Sequence, residues 1–349
     1  MQTSFYQMTF EELENLSKSQ AWPEASARLL YNWYYKKNKR RMCTLHGVSP
    51  RTQGYLSEFL NFSLPEIASV HESSDKTVKF LFRLCDQKNV ETVLIPFQKK
   101  YTVCLSSQVG CAMNCAFCYT GRQGFTRHLK TDEIVGQFLQ VQKWLTENRP
   151  EDDRILNIVF MGQGEPLHNF ESVQKATQIF ISQYGLSLAD HKITISTAGY
   201  LPGLQRWAGQ MPAVNIALSL HSPFTEKRNQ LIPLNRRYPL EDVIEAVEKI
   251  PNGKKRFVTY EYLLLKGFND SAEYAHATGR LLQGKKALLN LIPFNPFPGT
   301  DFKRPEPQDV ESFKAILEGY ALPTMVRKTK GDQILAACGQ LNTAEINKL

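Results

Sequence analysis

From residue 101 onward, short apolar runs recur at intervals: "YTVCLSS", "ILNIVFMG", "KITISTAG", "VNIALSLH", "FVTYEYLLL", "ALLNLIPFN" and "TMVRKT". Each is rich in β-branched or aromatic residues and most end in glycine, serine or asparagine, which predicts buried strands. Amphipathic stretches separate most of them. In "TDEIVGQFLQVQKWL", Ile134, Phe138, Val141 and Leu145 share one helical face, behind an expected capping Thr131 and an acidic first turn. Strand and helix in alternation predict a parallel sheet with right-handed crossovers, and about six units predict an α/β fold: an open, partial (β/α)6 barrel. Upstream, residues 8 to 62 carry helical patterns ("FEELENLSK", "EASARLLYNWYYKK", "RTQGYLSEFLNF") broken by Pro23 and "HGVSP", while "KTVKFLFRLC" and "VETVLIP" turn strand-like. The predicted division is a small helical domain over 1–75, a strand-rich extension over 76–100, the barrel over 101–325 and a C-terminal segment over 326–349.

Composition narrows the class. Of 349 residues, 42% are hydrophobic and 22% charged, ordinary for a globular protein, and no apolar run is long enough to span a bilayer. The N-terminus lacks the pattern of a secretory signal, so a cytoplasmic protein with reduced cysteines is expected. A net charge of +8 suits an anionic partner such as nucleic acid. The sharpest basic run is "YNWYYKKNKRR", where Trp33, Tyr34 and Tyr35 lead into Lys36, Lys37, Lys39, Arg40 and Arg41. Two readings stay open there: aromatics stacking on unpaired bases beside phosphate-binding cations, or a solvated helix end over a small aromatic core.

Cysteine carries the chemistry. Four of the seven cysteines fall within residues 104 to 118, and Cys111, Cys115 and Cys118 follow a Cys-x3-Cys-x2-Cys spacing with no fourth ligand close behind. Structural zinc asks for four protein ligands, whereas an iron–sulfur cluster held by three cysteines leaves one iron open. Reacting groups of such barrels gather at strand C-termini. There the sequence places the cysteines, "MGQGEPLHN", Ser196, Ser219 with His221, and Asn295.

"CAMNCAFC" resembles the signature of radical S-adenosylmethionine enzymes. With "VETVLIP", "SSQVGC", "GQGEPLHN", "ISTAG", "SLHSP", "LIPFNPFPG" and "RKTKGDQILAACGQL" in unbroken order, the chain resembles the RlmN/Cfr family of RNA adenine methyltransferases over roughly residues 75 to 345. The resemblance implies that Cys111, Cys115 and Cys118 hold a 4Fe-4S cluster. It implies that S-adenosyl-L-methionine, two molecules per turnover, is held by Gly164, Glu165, Ser196, Ser219, the Leu220 backbone, His221 and Asn295. By the same resemblance Cys338 accepts a methyl group, a 5'-deoxyadenosyl radical abstracts hydrogen from that methyl, and the resulting carbon radical adds to adenine. Cys104 then attacks the Cys338 sulfur, a step that depends on an accessible thiolate. Glu91 takes the role of proton acceptor.

Pro166 and "NPFPG" match the carbon-2 type, which acts on adenosine 2503 of 23S rRNA and, in many members, adenosine 37 of tRNAs. The alternative is carbon-8 methylation of the Cfr type, which gives antibiotic resistance. The resemblance also implies an RNA-gripping N-terminal domain, a reducing partner such as flavodoxin, and a monomer. Where the family reads "MGMGEP", this chain has Gln163, expected to alter polarity beside the cofactor. A zinc- or redox-sensing RNA-binding protein is the rival of another class, and predicts a colourless protein in place of a brown one. Cys43 and Cys85 lie outside any motif and are expected to be buried, inert thiols.

Overall fold

The computed structural model describes residues 2–23, 25–36, 49–97, 100–152, 154–250 and 257–344. Lys37, Lys39, Arg40, Arg41 and Cys43 lie outside the described residues. The N-terminal part holds helices α1 (Phe10–Ser19), α2 (Ser26–Tyr31, continued by a π-turn to Lys36) and α3 (Pro50–Phe59). Two short parallel strands, β1 (Thr3–Ser4) and β2 (Leu60–Asn61), tie its ends together. Thr9 caps α1 by accepting from the Glu12 N–H, while the Glu12 carboxylate accepts from the Thr9 N–H at 2.9 Å.

The aromatic run after α2 resolves in favour of the core. Tyr34 and Tyr35 are each 2% exposed, Tyr34 stacks on Phe62 at 4.4 Å, and Tyr31 and Tyr35 lie 4.7 Å apart around Phe5. Each ring contact of this kind adds about 1 kcal/mol beyond the area it buries. These two tyrosines are therefore no stacking platform for bases.

One ten-stranded sheet forms the rest of the fold. Its antiparallel edge is β3 (Glu66–Glu72), β4 (Val78–Arg83), β5 (Asn89–Phe97) and β6 (Lys100–Cys104), and a hairpin of β7 (Gln108–Gly110) and β8 (Phe125–His128) stands beside it. Helices α4 (Tyr119–Gln123) and α5 (Thr131–Asn148) then lead to β9 (Ile155–Phe160). From there α6 (Phe170–Ile181), β10 (Ile193–Thr197), α7 (Leu201–Gln210), β11 (Asn215–Ser219), α8 (Thr225–Leu231), α9 (Leu240–Glu248), β12 (Val258–Leu264), α10 (Ala272–Leu282), β13 (Ala287–Pro293), α11 (Pro307–Glu318) and β14 (Thr324–Val326) follow in turn. Sheet order is β14-β13-β12-β11-β10-β9-β6-β5-β4-β3, and every pairing from β6 to β14 is parallel. This is the predicted α/β partial barrel, with six crossovers joining seven parallel strands.

Helix α5 buries the predicted face: Ile134, Phe138, Val141 and Leu145 are at most 2% exposed. Its cap differs from expectation. Thr131 lies inside the first turn, and the Glu133 carboxylate accepts from the Lys130 N–H at 2.8 Å, braced by Arg127 at 2.8 Å. An acidic residue at the third helical position competes well for that N–H, since it also meets the positive end of the helix. Among the described residues, no helix is long and apolar enough to cross a membrane.

Candidate active site

The C-terminal ends of the parallel strands surround a cavity of about 160 Å³. Cys111, Cys115, Cys118, Gly164, Glu165, Ser196, Ser219, His221 and Cys338 all line it. The cysteine loop is held by backbone bonds: Cys111 N–H to Gly124 O at 2.9 Å, Ala116 N–H to Leu231 O at 3.0 Å, and Tyr119 N–H to Gly339 O at 2.7 Å. The last of these fastens the Cys338 loop to the cysteine loop.

Burial pushes the Cys111 thiol up to about 12 and raises Cys115 and Cys118 as well; repulsion from neighbouring thiols adds to the shift at Cys115. A positively charged metal centre is what turns such thiols into thiolates. Among the described residues, no three His, Cys, Asp or Glu side chains converge as ligands of a single ion would. Three thiols lining one cavity form a soft donor set of the kind that iron–sulfur clusters take.

Glu165 stands on the loop after β9, 3% exposed, its oxygens accepting from Ala198 N–H at 2.8 Å and Leu167 N–H at 3.1 Å. Gln108, fully buried, accepts from the Glu165 N–H at 2.8 Å. Gly164 lies between them at a φ of +107°, where a Cβ would come within 2.6 Å of the Gln108 side chain, so only glycine fits. Burial pushes the Glu165 carboxyl from 4.5 up to about 7. Its ionisation therefore costs stability: nothing below about pH 4.5, progressively more between 4.5 and 7, and the full penalty above. The ligand-free protein should lose stability across that window and Glu165→Gln should remove that component. Urea unfolding at about pH 5 and about pH 8 reads this, and an equal wild-type–variant difference at both would contradict it.

His221 sits in the left-handed region at a φ of 56°, with its ring edge-on to Phe117 at 4.6 Å. Its Nδ1 accepts from Leu263 N–H at 3.0 Å, which places the ring proton on Nε2, and burial pushes its pKa down to about 3. It is a neutral donor. The Leu220 N–H donates to Glu261 O at 2.9 Å and its carbonyl accepts from Arg228 at 3.1 Å.

Cys104 and Asn295 belong to a second cavity of about 680 Å³, which shares Met161, Ile292, Arg327 and Cys338 with the first. The Asn295 amide donates to the Cys338 carbonyl at 3.2 Å and its oxygen accepts from Arg304 at 2.9 Å, so it braces the Cys338 loop. Cys104 is 5% exposed, and burial pushes it up to about 12 against the pull of Arg327. An accessible thiolate was expected; in this state Cys104 is a buried thiol. Glu91 lines neither cavity. Its carboxylate meets Lys79 at 2.9 Å and accepts from Asn342 N–H at 2.8 Å, and burial pushes its pKa up in spite of Lys79.

Over nearly their whole lengths, three known proteins resemble this chain. The dual-specificity RNA methyltransferase RlmN of Syntrophus aciditrophicus is 42% identical, covering 96% of this chain and 95% of the relative. That of Nitratiruptor is 39% identical, covering 96% of each. The chain belongs to the RlmN family. The radical SAM superfamily model matches residues 105–277, and the crystal structure of a radical SAM methyltransferase from Sphaerobacter thermophilus superposes with a TM-score of 0.90 at 35% identity, covering 97% of this chain and 99% of that one. The family implies a 4Fe-4S cluster and use of S-adenosyl-L-methionine, and the donor set just described accommodates both.

Two further expectations change. Gln163 does not face the cysteine cavity. It is fully buried, accepts from Glu91 N–H at 2.8 Å, and donates to Gln123 at 2.9 Å and Thr343 at 3.3 Å. A methionine there strands the Glu91 N–H, so Gln163→Met should destabilise the fold by about 1–3 kcal/mol in chemical denaturation. An unmoved midpoint would refute this role. Cys85 is exposed, not buried. Finally, Arg228, Glu261 and Arg327 were missed. Arg327 bears a signal, since it directly follows the last strand; Glu261 is hidden within the apolar run "FVTYEYLLL" and Arg228 within a helix.

Proposed function

We propose that this chain methylates carbon 2 of adenosine, at position 2503 of 23S rRNA and position 37 of tRNAs. The observation that supports it most is that Cys338 lines both cavities: the one ringed by Cys111, Cys115, Cys118 and Glu165, and the one holding Cys104. A methyl group on the Cys338 sulfur stands between the two.

In this reading the three cysteines hold the cluster, and Gly164, Glu165, Ser196, Ser219 and His221, which line the first cavity, hold S-adenosyl-L-methionine; Leu220 and Asn295, expected beside them, are bonded to Glu261 and Arg228 and to Cys338 and Arg304, and support the site from behind. Bound there, the pair supplies one-electron chemistry, with a second S-adenosyl-L-methionine as methyl donor and a flavodoxin-type protein as reductant. The carboxylate of Glu165 faces the cofactor's ammonium, and the His221 Nε2–H is available to a cofactor acceptor. Cys338 would carry the methyl group as a thioether; one hydrogen atom of that methyl and one electron of the adduct would leave through the one-electron chemistry of the bound pair, and the remaining methylene would join the sulfur to the base. Cys104 loses its proton and attacks the Cys338 sulfur; the S–S bond forms as the sulfur–methylene bond breaks, the electron pair stays with the carbon, which takes up a proton to become the methyl of the freed base, and an external thiol reduces the disulfide. Arg327, half-buried with its charge acting on both sulfurs, stabilises the Cys104 thiolate. Glu91 takes the proton from the target carbon; for this the Asn342 N–H must release its carboxylate.

The reconstituted enzyme, incubated with a 23S rRNA fragment and with tRNA, should give RNA whose mass map places the methyl on carbon 2 of adenine. Methyl at carbon 8, or none, overturns the assignment.

A further inference from the structure

The aromatic residues at 34 and 35 are committed to the core, so an RNA substrate must find its stacking partner elsewhere. Two large apolar side chains stand exposed at the second cavity: Phe97, 48% exposed, and Met325, 60% exposed. They come from opposite ends of the lining. Phe97 ends β5, on the row that puts Val93 and Ile95 into the cavity, while Met325 lies in β14 at the far edge of the sheet. The two strands stand seven places apart in the sheet, yet both contribute to the lining of this one cavity. Lys328 and Lys330 line the same cavity, Lys330 reaching Asp75 only at 4.0 Å. Exposed apolar side chains scattered singly need no explanation, but two bracketing a cavity with two cations beside it form an amphipathic lip.

A base drawn out of its stack leaves its neighbour with a bare face, a loss of a few kcal/mol that an aromatic ring can offset. We propose that Phe97 stacks on the nucleotide next to the adenosine entering the cavity, with Met325 as a second apolar contact on the same lining and Lys328 and Lys330 taking the adjoining phosphates. This rests on the RNA-methylating reading above. Phe97 selects no base, because every base offers a flat face; it holds the strand open.

The test uses the full-length, cluster-loaded enzyme and an RNA hairpin with the target adenosine in its loop and 2-aminopurine beside it. Wild type should quench the 2-aminopurine on binding. Phe97→Ala should weaken binding about tenfold and abolish the quench, with the salt dependence unaltered because the lysines remain. Phe97→Trp should restore both affinity and quench. Wild-type affinity and quench in Phe97→Ala overturn the proposal, as does failure of Phe97→Trp to restore them with its melting temperature unchanged. If wild type itself ignores the hairpin, the RNA reading falls with it. Should wild type bind and methylate while Phe97→Ala is indistinguishable, only the stacking role falls.

Discussion

Changing Cys338 to alanine should reduce RNA methylation at least a thousandfold, because the thioether on which the proposed route depends can no longer form. The cluster should survive. Cys111, Cys115 and Cys118 belong to a different segment, and the bond from Tyr119 N–H to Gly339 O that docks the loop is made by backbone alone. Iron and sulfide content equal to wild type, alongside lost turnover measured by labelled methyl transfer to RNA, is the expected pair of results. The companion variant Cys104→Ala should behave differently: the methyl carbon still joins base to Cys338, no thiol can release it, and enzyme migrates with RNA attached under denaturing conditions. Full turnover by Cys338→Ala would remove the thioether route altogether.

Changing Arg228 to methionine should loosen the site's framework, at a cost of about 1–3 kcal/mol for each buried acceptor left unpaired. This guanidinium is fully buried and donates to the carbonyls of Leu220 at 3.1 Å, Ala198 at 2.9 Å and Ser219 at 2.9 Å, and to Asn235. Burial lowers its pKa to about 10, so it stays charged at neutral pH. Those carbonyls lie at the ends of β10 and β11, where Ser196, Ser219 and His221 enter the cavity. Without the arginine, the Ala198 and Ser219 carbonyls and the Asn235 oxygen lose its bonds, while the Leu220 carbonyl keeps the Ser222 N–H at 2.7 Å. Lysine cannot replace it, since a single ammonium does not span a fork of acceptors. Denaturant midpoint and cluster retention report the effect, and a midpoint within about 0.5 kcal/mol of wild type would exclude it.

What could be read from the chain and what could not divide along physical lines. Apolar runs ending in small polar residues mark strands and the mouth they share, because burial and turn chemistry are local. The ring of Ser196, Ser219 and His221 followed from that alone. Partnership across distance left no such trace. Arg228 in "TEKRNQL" has the pattern of a solvated helix face, yet its head is surrounded by carbonyls from two strands. Tyr34 and Tyr35 are equally plausible as stacking platforms until Phe5 and Phe62 are seen around them. Gln163 looked like a change beside the cofactor, but the backbone there turns its side chain toward Glu91 and Thr343. Cys104 has the right neighbours in sequence, while its burial depends on Val93, Ala336 and Leu341, which close over it.

The order of the sheet also bears on how the enzyme comes into being. From β4 to β14, each strand of the large sheet pairs with the one before it in that sheet, β9 joining β6 after the separate β7–β8 hairpin, so the sheet can grow by accretion as residues leave the ribosome. The reactive centre cannot. Cys104 and the cluster loop emerge more than two hundred residues ahead of Arg327 and Cys338, so the thiols must wait, apart, until the closing strand arrives. Catalytic competence is the last thing this chain acquires.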